Sequence, residues 1–515
     1  MVKKIKSLTY IDYVLIIFFS FFINYYYSSI GVLPQDTFAY YDTAYRILKG
    51  STPFKDYWTV SGPFIDYFQA IIFYIFGVSW KSYIINGSII NTLVTLMFFY
   101  TIKNFNQDRL HSFFYAICFS ILANPSMGTP FPDHYSTFLS LMGIFFFLTA
   151  LKKEKKIFWF IVPVLFFFGF LSKQSPSSYI LLAFFVSILI YIRYWKNLSF
   201  IKYFLISSIF CLLLLFTFFI FKEIDIQQFI FQYILFPQTI AAERIANYKV
   251  TFNGIFLQYK FIYIFLVTLL IFLVSYKMSL KKDYKFLYSI ILILLTIVLV
   301  FHQTVTKNFI FIFFLIPMLA SATQLIIPHE FKYRNLAAII LISSTFLITL
   351  KYHLRFNEER KMLNLENINL NKNVNAKLIH PSLNGLQWII DNKDTAWAGV
   401  DESLHGIDII SLSWGITSHE GGGSDGNDPF SVLLNVAMEE GIVVSVAAGN
   451  DGPNNDGLSG MGSSDLAITV GATDDGNTIE RDDDTIASYS SRGPRRDNGD
   501  GNPLNELKPE VTAPG

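Results

Sequence analysis

At 515 residues the chain is long enough for two or more domains, and 52% hydrophobic with 17% aromatic residues places it with membrane proteins rather than soluble ones. Its formal net charge of +1 sums two opposed portions: from Asp391 onward 23 acidic residues face 6 basic ones, so the preceding part is strongly basic. No nucleic-acid partner is expected from this pattern, and the two cysteines, Cys118 and Cys211, both lie in apolar runs as small buried hydrophobes rather than redox or metal groups.

Lys3, Lys4 and Lys6 precede an apolar run that continues past the length of a signal h-region without a small-residue cleavage site, which predicts an uncleaved first span. A spanning helix needs about 17–25 apolar residues. Windows of that kind are predicted near 11–31, 83–102, 109–124, 135–151, 157–172, 177–195, 201–221, 256–276, 284–302, 308–327 and 335–352. The run 63–80 is apolar but carries Asp66 and Gln69 between Gly62-Pro63 and Gly77. Read as an interfacial helix, it puts every strongly basic loop on one side: Lys3–Lys6, Lys103/Arg109, Lys152–Lys156, Arg193/Lys196/Lys202, Lys277–Lys285 and Lys332/Arg334. The expected fold is therefore a polytopic α-helical membrane protein of about eleven spans plus an interfacial helix, followed by a truncated α/β segment.

That topology collects the other polar loops on the opposite, extracytoplasmic side: Pro34–Gly62, Pro130–Ser136, Ser172–Ser178, Lys222–Asn253 and His302–Asn308. Asp36, Asp133-His134 and Lys173 stand at span ends on that face. Ionisable groups at membrane edges are expensive unless solvated, paired or functional. A carboxylate there can act as a general base or hold a metal, and a lysine can offset the charge of a phosphate leaving group. Asp42 and Asp56 read as supporting residues of the first loop.

Asp36, Tyr40-Tyr41-Asp42, Leu48-Lys49-Gly50, Pro53-Phe54-Lys55-Asp56-Tyr57-Trp58 and Gly62-Pro63 together resemble the first outer loop of the C-type (GT-C) membrane glycosyltransferases, in particular the dolichyl-phosphate-mannose mannosyltransferase and aminoarabinose-transferase branch. Phe76-Gly77-Val78-Ser79 and Phe170-Leu171-Ser172-Lys173 are similar to the same branch. The resemblance covers residues 1–380. It implies transfer of a sugar from a polyprenyl-phosphate donor to an acceptor on the extracytoplasmic face of a prokaryotic plasma membrane, with the N-terminus cytoplasmic. It also implies catalytic roles for Asp36 (base) and Asp133, and donor or substrate binding by His134, Lys173, Asp56 and Trp58. The branch often has Asp-Glu at the first position where this chain has Asp36-Thr37, so a divalent metal ion is an open candidate cofactor and no other is expected. The expected partners are the lipid-linked sugar donor and membrane lipid, with the acceptor unspecified. The segment Lys222–Asn253 is a candidate cover for the donor or an ordinary interface segment.

From about Asn384 the residue usage is that of a soluble α/β protein. Ile407–Ser413, Ile442–Ala448 and Leu466–Val470 read as buried strands, and Asp428, Pro429 and Gly441 as the cap, first residue and stop of a helix between the first two. Ser411-Leu412-Ser413-Trp414-Gly415, Ala447–Pro453, Ser490-Ser491-Arg492-Gly493-Pro494 and Lys508–Gly515 resemble subtilisin-like serine proteases, with residues 385–515 as a partial domain. The resemblance makes Asn450 the oxyanion-hole side chain. The Asp-Thr-Gly, His-Gly-Thr-His and Gly-Thr-Ser-Met-Ala motifs of that family are not in the sequence, so this segment is expected to be inert. The abrupt change in composition points to a chimeric or truncated gene product. Two other readings stay open: a subtilisin-like endopeptidase fragment anchored by a membrane domain, and a non-enzymatic multispan carrier.

Overall fold

The computed structural model describes residues 2–30, 39–59, 61–126, 128–239, 251–275, 283–306, 312–361, 381–413, 424–453, 458, 460–476, 481–504 and 506–514. It divides into two units, Met1–Val374 and Asn375–Gly515.

Among the described residues the first unit is helical apart from an isolated bridge between Pro53 and Tyr57. Its elements are α1 (Val2–Ile30), α2 (Ala39–Leu48), α3 (Pro63–Phe76), α4 (Trp80–Asn104), α5 (Arg109–Ala123), α6 (Pro132–Lys153), α7 (Lys156–Phe170), α8 (Gln174–Trp195) and α9 (Ser199–Lys222). After the short α10 (Ile226–Ile230), which runs into a π-helical turn at Phe231–Leu235, come α11 (Gln258–Ser275), α12 (Tyr284–Thr306), α13 (Leu315–Ile326) and α14 (Arg334–Lys361). Each of the eleven predicted windows holds a helix. Seven helices among the described residues are long and apolar enough to cross a membrane, while α5, α7, α11 and α13 are shorter, so eleven full spans are not established. The chain is an integral membrane protein by these helices.

Helix α3 begins and ends at the same end of the bundle. Gly62 N–H donates to the Ser172 carbonyl beyond α7 at 3.2 Å, and the Trp80 indole, opening α4, donates to Ser28 O at the end of α1 at 3.2 Å. Fourteen residues rise about 21 Å, short of an apolar core about 30 Å thick. Its polar residues Asp66 and Gln69 are fully buried, whereas Ile71, Tyr74, Ile75 and Phe76 are exposed.

The opposite end of the bundle carries Arg109 and Lys285. Arg109 grips the buried Asp12 carboxylate of α1 with two bonds of 2.6 and 2.7 Å, and Lys285 caps the Leu325 carbonyl at 3.2 Å. Within the bundle, small and amide side chains join the helices, as expected where apolar contact alone gives no specificity. Asn91 of α4 donates to Ser20 O of α1 and Ser120 O of α5, and Asn24 donates to Gly128 O at 2.6 Å.

The second unit is an α/β segment. Strands β1 (Ile409–Leu412), β2 (Val443–Ala447) and β3 (Ile468–Asp474) pair in parallel; β5 (Val511–Pro514) joins β3 in parallel and the two-residue β4 (Thr485–Ile486) antiparallel. Helix α15 (Pro381–Asp391) and helix α16 (Pro429–Glu439) pack on it around Ile410, Phe430, Leu434, Val444, Val446 and Met461. Asp428 caps α16 by accepting from the Phe430 and Ser431 N–H groups, Pro429 opens the helix, and Gly441 takes φ +90° just past its end, a conformation open to glycine at little cost. The predicted strand–helix–strand unit is present at those residues.

Candidate functional site

The polar centre of the first unit forms where α6 and α8 begin. Pro132 opens α6, leaving Asp133 in its first turn, where a carboxylate is favoured by the helix dipole. Lys173 is the residue before α8, following the turn that ends α7. Lys173 Nζ donates to Asp133 Oδ2 at 2.6 Å; the Asp133 side chain is fully buried and that of Lys173 is 27% exposed. Ser136 holds the two elements together by donating to Lys173 O at 2.7 Å and accepting from Ser177 N–H at 3.0 Å. The pair joins two residues 40 positions apart that the sequence placed on one face.

His134 is buried between the rings of Phe131 and Phe138. A histidine that sequence reasoning counted only as part of an outer loop, His302 at the end of α12, enters the same region. Its Nε2 lies 3.0 Å from Ser175 Oγ and its Nδ1 3.3 Å from Gln303 Nε2.

The first loop docks on this region by backbone. A Cβ on Gly62 would come within 1.7 Å of Leu171 O, so only glycine allows the approach next to Lys173. Residues 52–59 latch onto the segment following α9. Phe54, at φ +67°, inserts among Phe219, Phe229 and Tyr233; Gln232 accepts from Thr59 N–H and donates to Phe54 O; and Lys55 pairs with Glu223 at 2.8 Å. That pair holds Lys55 above and Glu223 below their ordinary values, and both side chains are well exposed, so it contributes little stability.

Two predicted binding residues sit in this latch rather than against the Asp133–Lys173 pair. Asp56 is exposed and accepts from Thr52 N–H at 2.7 Å to close the turn; Trp58 is half-exposed and makes edge contacts with Phe231 and Phe236. Asp42 pairs with Arg46 on exposed α2. Asp36 lies outside the described residues, as do residues 240–250 of the predicted covering segment.

An apolar groove of about 730 Å³ runs between α7, α8 and α9, lined by Phe166, Phe170, Leu181, Phe185 and Leu212 and reaching Ser177 and Ser178. Ser177, at one end of the groove, donates its N–H to Ser136, which in turn donates to the Lys173 backbone carbonyl. Among the described residues no three His, Cys, Asp or Glu side chains gather as a metal site, and the one buried carboxylate of the pair is already met by an ammonium.

In the second unit, Asn450 follows β2 and lines a shallow groove with Ser411 and Ser413 of the β1 edge and with Ala513 and Pro514 of β5. His405 stands before β1 with Nε2 3.2 Å from Val400 O. Trp414 and Gly415 lie outside the described residues.

Comparison with known proteins separates the same two portions. Residues 60–221 match the family model of dolichyl-phosphate-mannose-protein mannosyltransferases, and residues 369–515 match the subtilase family. Serine protease AprX of Bacillus subtilis is 39% identical over 137 residues, which cover 26% of this chain and 27% of AprX. Pyrolysin of Pyrococcus furiosus is 32% identical over 150 residues, covering 24% of this chain and 10% of pyrolysin. The chain thus spans about a quarter or less of the curated relatives it matches. The archaeal oligosaccharyltransferase AglB from Archaeoglobus fulgidus, solved with an inhibitory peptide and a dolichol-phosphate, aligns with a TM-score of 0.44 and 11% identity over 84% of this chain and 69% of that one. The chain joins a membrane portion that matches a glycosyltransferase family model to a C-terminal portion that matches the subtilases.

Proposed function

We propose that the membrane unit is a glycosyltransferase that moves a sugar from a polyprenyl-phosphate carrier to an acceptor hydroxyl at the extracytoplasmic face. The observation that carries this reading is the buried Asp133–Lys173 pair, within the region matched by the mannosyltransferase model, with an apolar groove between the neighbouring helices α7, α8 and α9. The groove offers an isoprenoid chain an apolar bed, and Lys173 offers its phosphate a positive charge where the bed ends. In the proposed step the acceptor oxygen bonds to the anomeric carbon. The carbon–oxygen bond to the carrier breaks with its electron pair passing to the phosphate, beside Lys173. The acceptor proton passes to Asp36 as general base. Asp133 holds Lys173 in place, and His302 and Ser175 line the approach. No step is routed through a metal ion.

Asp36→Asn tests the assignment: transfer of labelled sugar from a polyprenyl donor in membranes holding equal amounts of protein should be abolished, and full transfer by the variant would refute it. For the second unit we propose that this chain has no proteolytic activity. An oxyanion donor such as Asn450 has no nucleophile to serve without the serine, histidine and aspartate motifs.

A further inference from the structure

Beneath the first loop lies a set of buried polar groups that the ion pair does not use. Asp66 and Gln69 are both fully buried on the inner face of α3. Asp66 Oδ1 accepts from the Thr43 hydroxyl of α2 at 2.7 Å, whereas Oδ2 has no partner among the described residues. Gln69 Oε1 accepts from Asn86 Nδ2 at 2.7 Å, and Asn86 Oδ1 in turn accepts from Tyr135 OH at 2.5 Å; the Gln69 Nε2 donor is unpartnered. The buried hydroxyls of Tyr57 and Tyr67 likewise have no partner among the described residues, and burial, with Asp66 nearby, holds both phenols above their ordinary range. Buried polar atoms are almost always hydrogen-bonded, so a cluster of four concentrated in one thirteen-residue stretch calls for a ligand or for ordered water.

The set is mixed: Oδ2 accepts when Asp66 is charged and donates when it is protonated, Gln69 Nε2 donates, and the phenols do either. A bare cation would meet the amide donor unfavourably, and an alkyl chain would satisfy none of the four. A ring bearing adjacent hydroxyls supplies both donors and acceptors, with aromatic faces beside it. Location agrees with this. Gly62 touches the Ser172 carbonyl next to Lys173, and Asp66 stands four residues further on, about one helical turn. Tyr135 lies two residues after Asp133 on α6. We propose that Asp66, Gln69, Tyr57 and Tyr67 form a subsite for the sugar ring of the glycosylated carrier, one turn from Gly62, whose N–H meets the carbonyl of the residue before Lys173; this rests on the reading given under Proposed function. Burial pushes the Asp66 carboxyl up to about 7 despite the Thr43 hydroxyl, and hydroxyls donated by a sugar would favour its charged form.

The test compares carriers with and without sugar. The purified full chain is titrated with a bare polyprenyl phosphate and with the same carrier bearing mannose, glucose or N-acetylglucosamine, and dissociation constants are read by thermophoresis. Wild-type protein should bind at least one glycosylated carrier about tenfold more tightly than the bare one. Asp66→Asn should reduce that ratio to about one while the bare carrier binds within about threefold of wild type. If Asp66→Asn melts at lower temperature and loses bare-carrier binding too, Tyr67→Phe, which removes one oxygen and keeps the ring, decides; a severalfold fall in the ratio supports the subsite. An unchanged ratio in these variants means ordered water fills the cluster and overturns the proposal, as does a wild-type protein that favours no glycosylated carrier. If the wild type binds no carrier at all, bare or glycosylated, the glycosyltransferase reading falls and the subsite with it.

Discussion

The ion pair between Lys173 and Asp133 is unequal in its surroundings, and this predicts unequal mutants. Lys173→Met removes the ammonium that meets a fully buried carboxylate at 2.6 Å; breaking a buried pair at one partner costs about 3–5 kcal/mol. Asp133→Asn leaves an ammonium whose side chain is 27% exposed and can turn toward water while the amide still accepts one bond, so about 1–3 kcal/mol is lost. The double variant removes the buried carboxylate charge as well and should recover part of the stability that Lys173→Met loses, a coupling that a double-mutant cycle measures directly. Transfer activity should behave otherwise. Both variants lacking Lys173 lose the positive charge at the leaving phosphate, a deficit of about 10²–10³ in rate by analogy with other electrostatic donors. Thermal unfolding of the detergent-purified chain and transfer assays on the same preparations separate the two effects. Equal melting temperatures for the two single variants, or a double variant as active as wild type, would refute the reasoning.

Asp66 predicts a pH dependence. Its folded carboxyl is raised to about 7 against an ordinary value of 3.8, so the folded state holds a proton that the unfolded chain has released. Its contribution is fully present below about pH 4 and is lost as pH rises through about 7; Asp66→Asn should therefore gain more in melting temperature at pH 7.5 than at pH 4.5, and an equal change at both would contradict the burial argument. Gly62→Ala places a methyl 1.7 Å from Leu171 O and should force the first loop off the Lys173 turn, cutting transfer at least tenfold with the rest of the bundle folded; wild-type activity would show that the contact is dispensable. The full chain should release no product from casein or a succinyl-peptide substrate above a buffer blank, and release sensitive to a serine-protease inhibitor would overturn the inert assignment.

What the sequence made legible was whatever is encoded locally. Apolar windows gave the helices because burial in lipid demands continuous hydrophobicity, and Asp428, Pro429 and Gly441 marked the limits of α16 by capping chemistry alone. The Asp133–Lys173 pairing came within reach because the distribution of lysines sorted the span ends before any contact was known. His302 escaped because its partner Ser175 is 127 residues away and no spacing rule links the end of one helix to the start of another. Asp66 and Gln69 stand out on one face of an apolar run whose reading is an interfacial helix. In the folded chain that face turns inward onto Thr43 and Asn86, because polar groups from α2 and α4 are there to receive it. Strands β4 and β5 were missed as strands: two residues carry no period, and Val511–Pro514 is ordered by pairing with β3 rather than by its own pattern.

The most direct test of the account is product formation by the purified full chain in proteoliposomes loaded with a glycosylated polyprenyl phosphate and a crude acceptor fraction. Free polyprenyl phosphate should appear in step with glycosylated acceptor for wild-type protein, and both should fall by two to three orders of magnitude for Lys173→Met. Release of the carrier at the same rate by both proteins, or by neither, would contradict a glycosyl transfer centred on the Asp133–Lys173 pair.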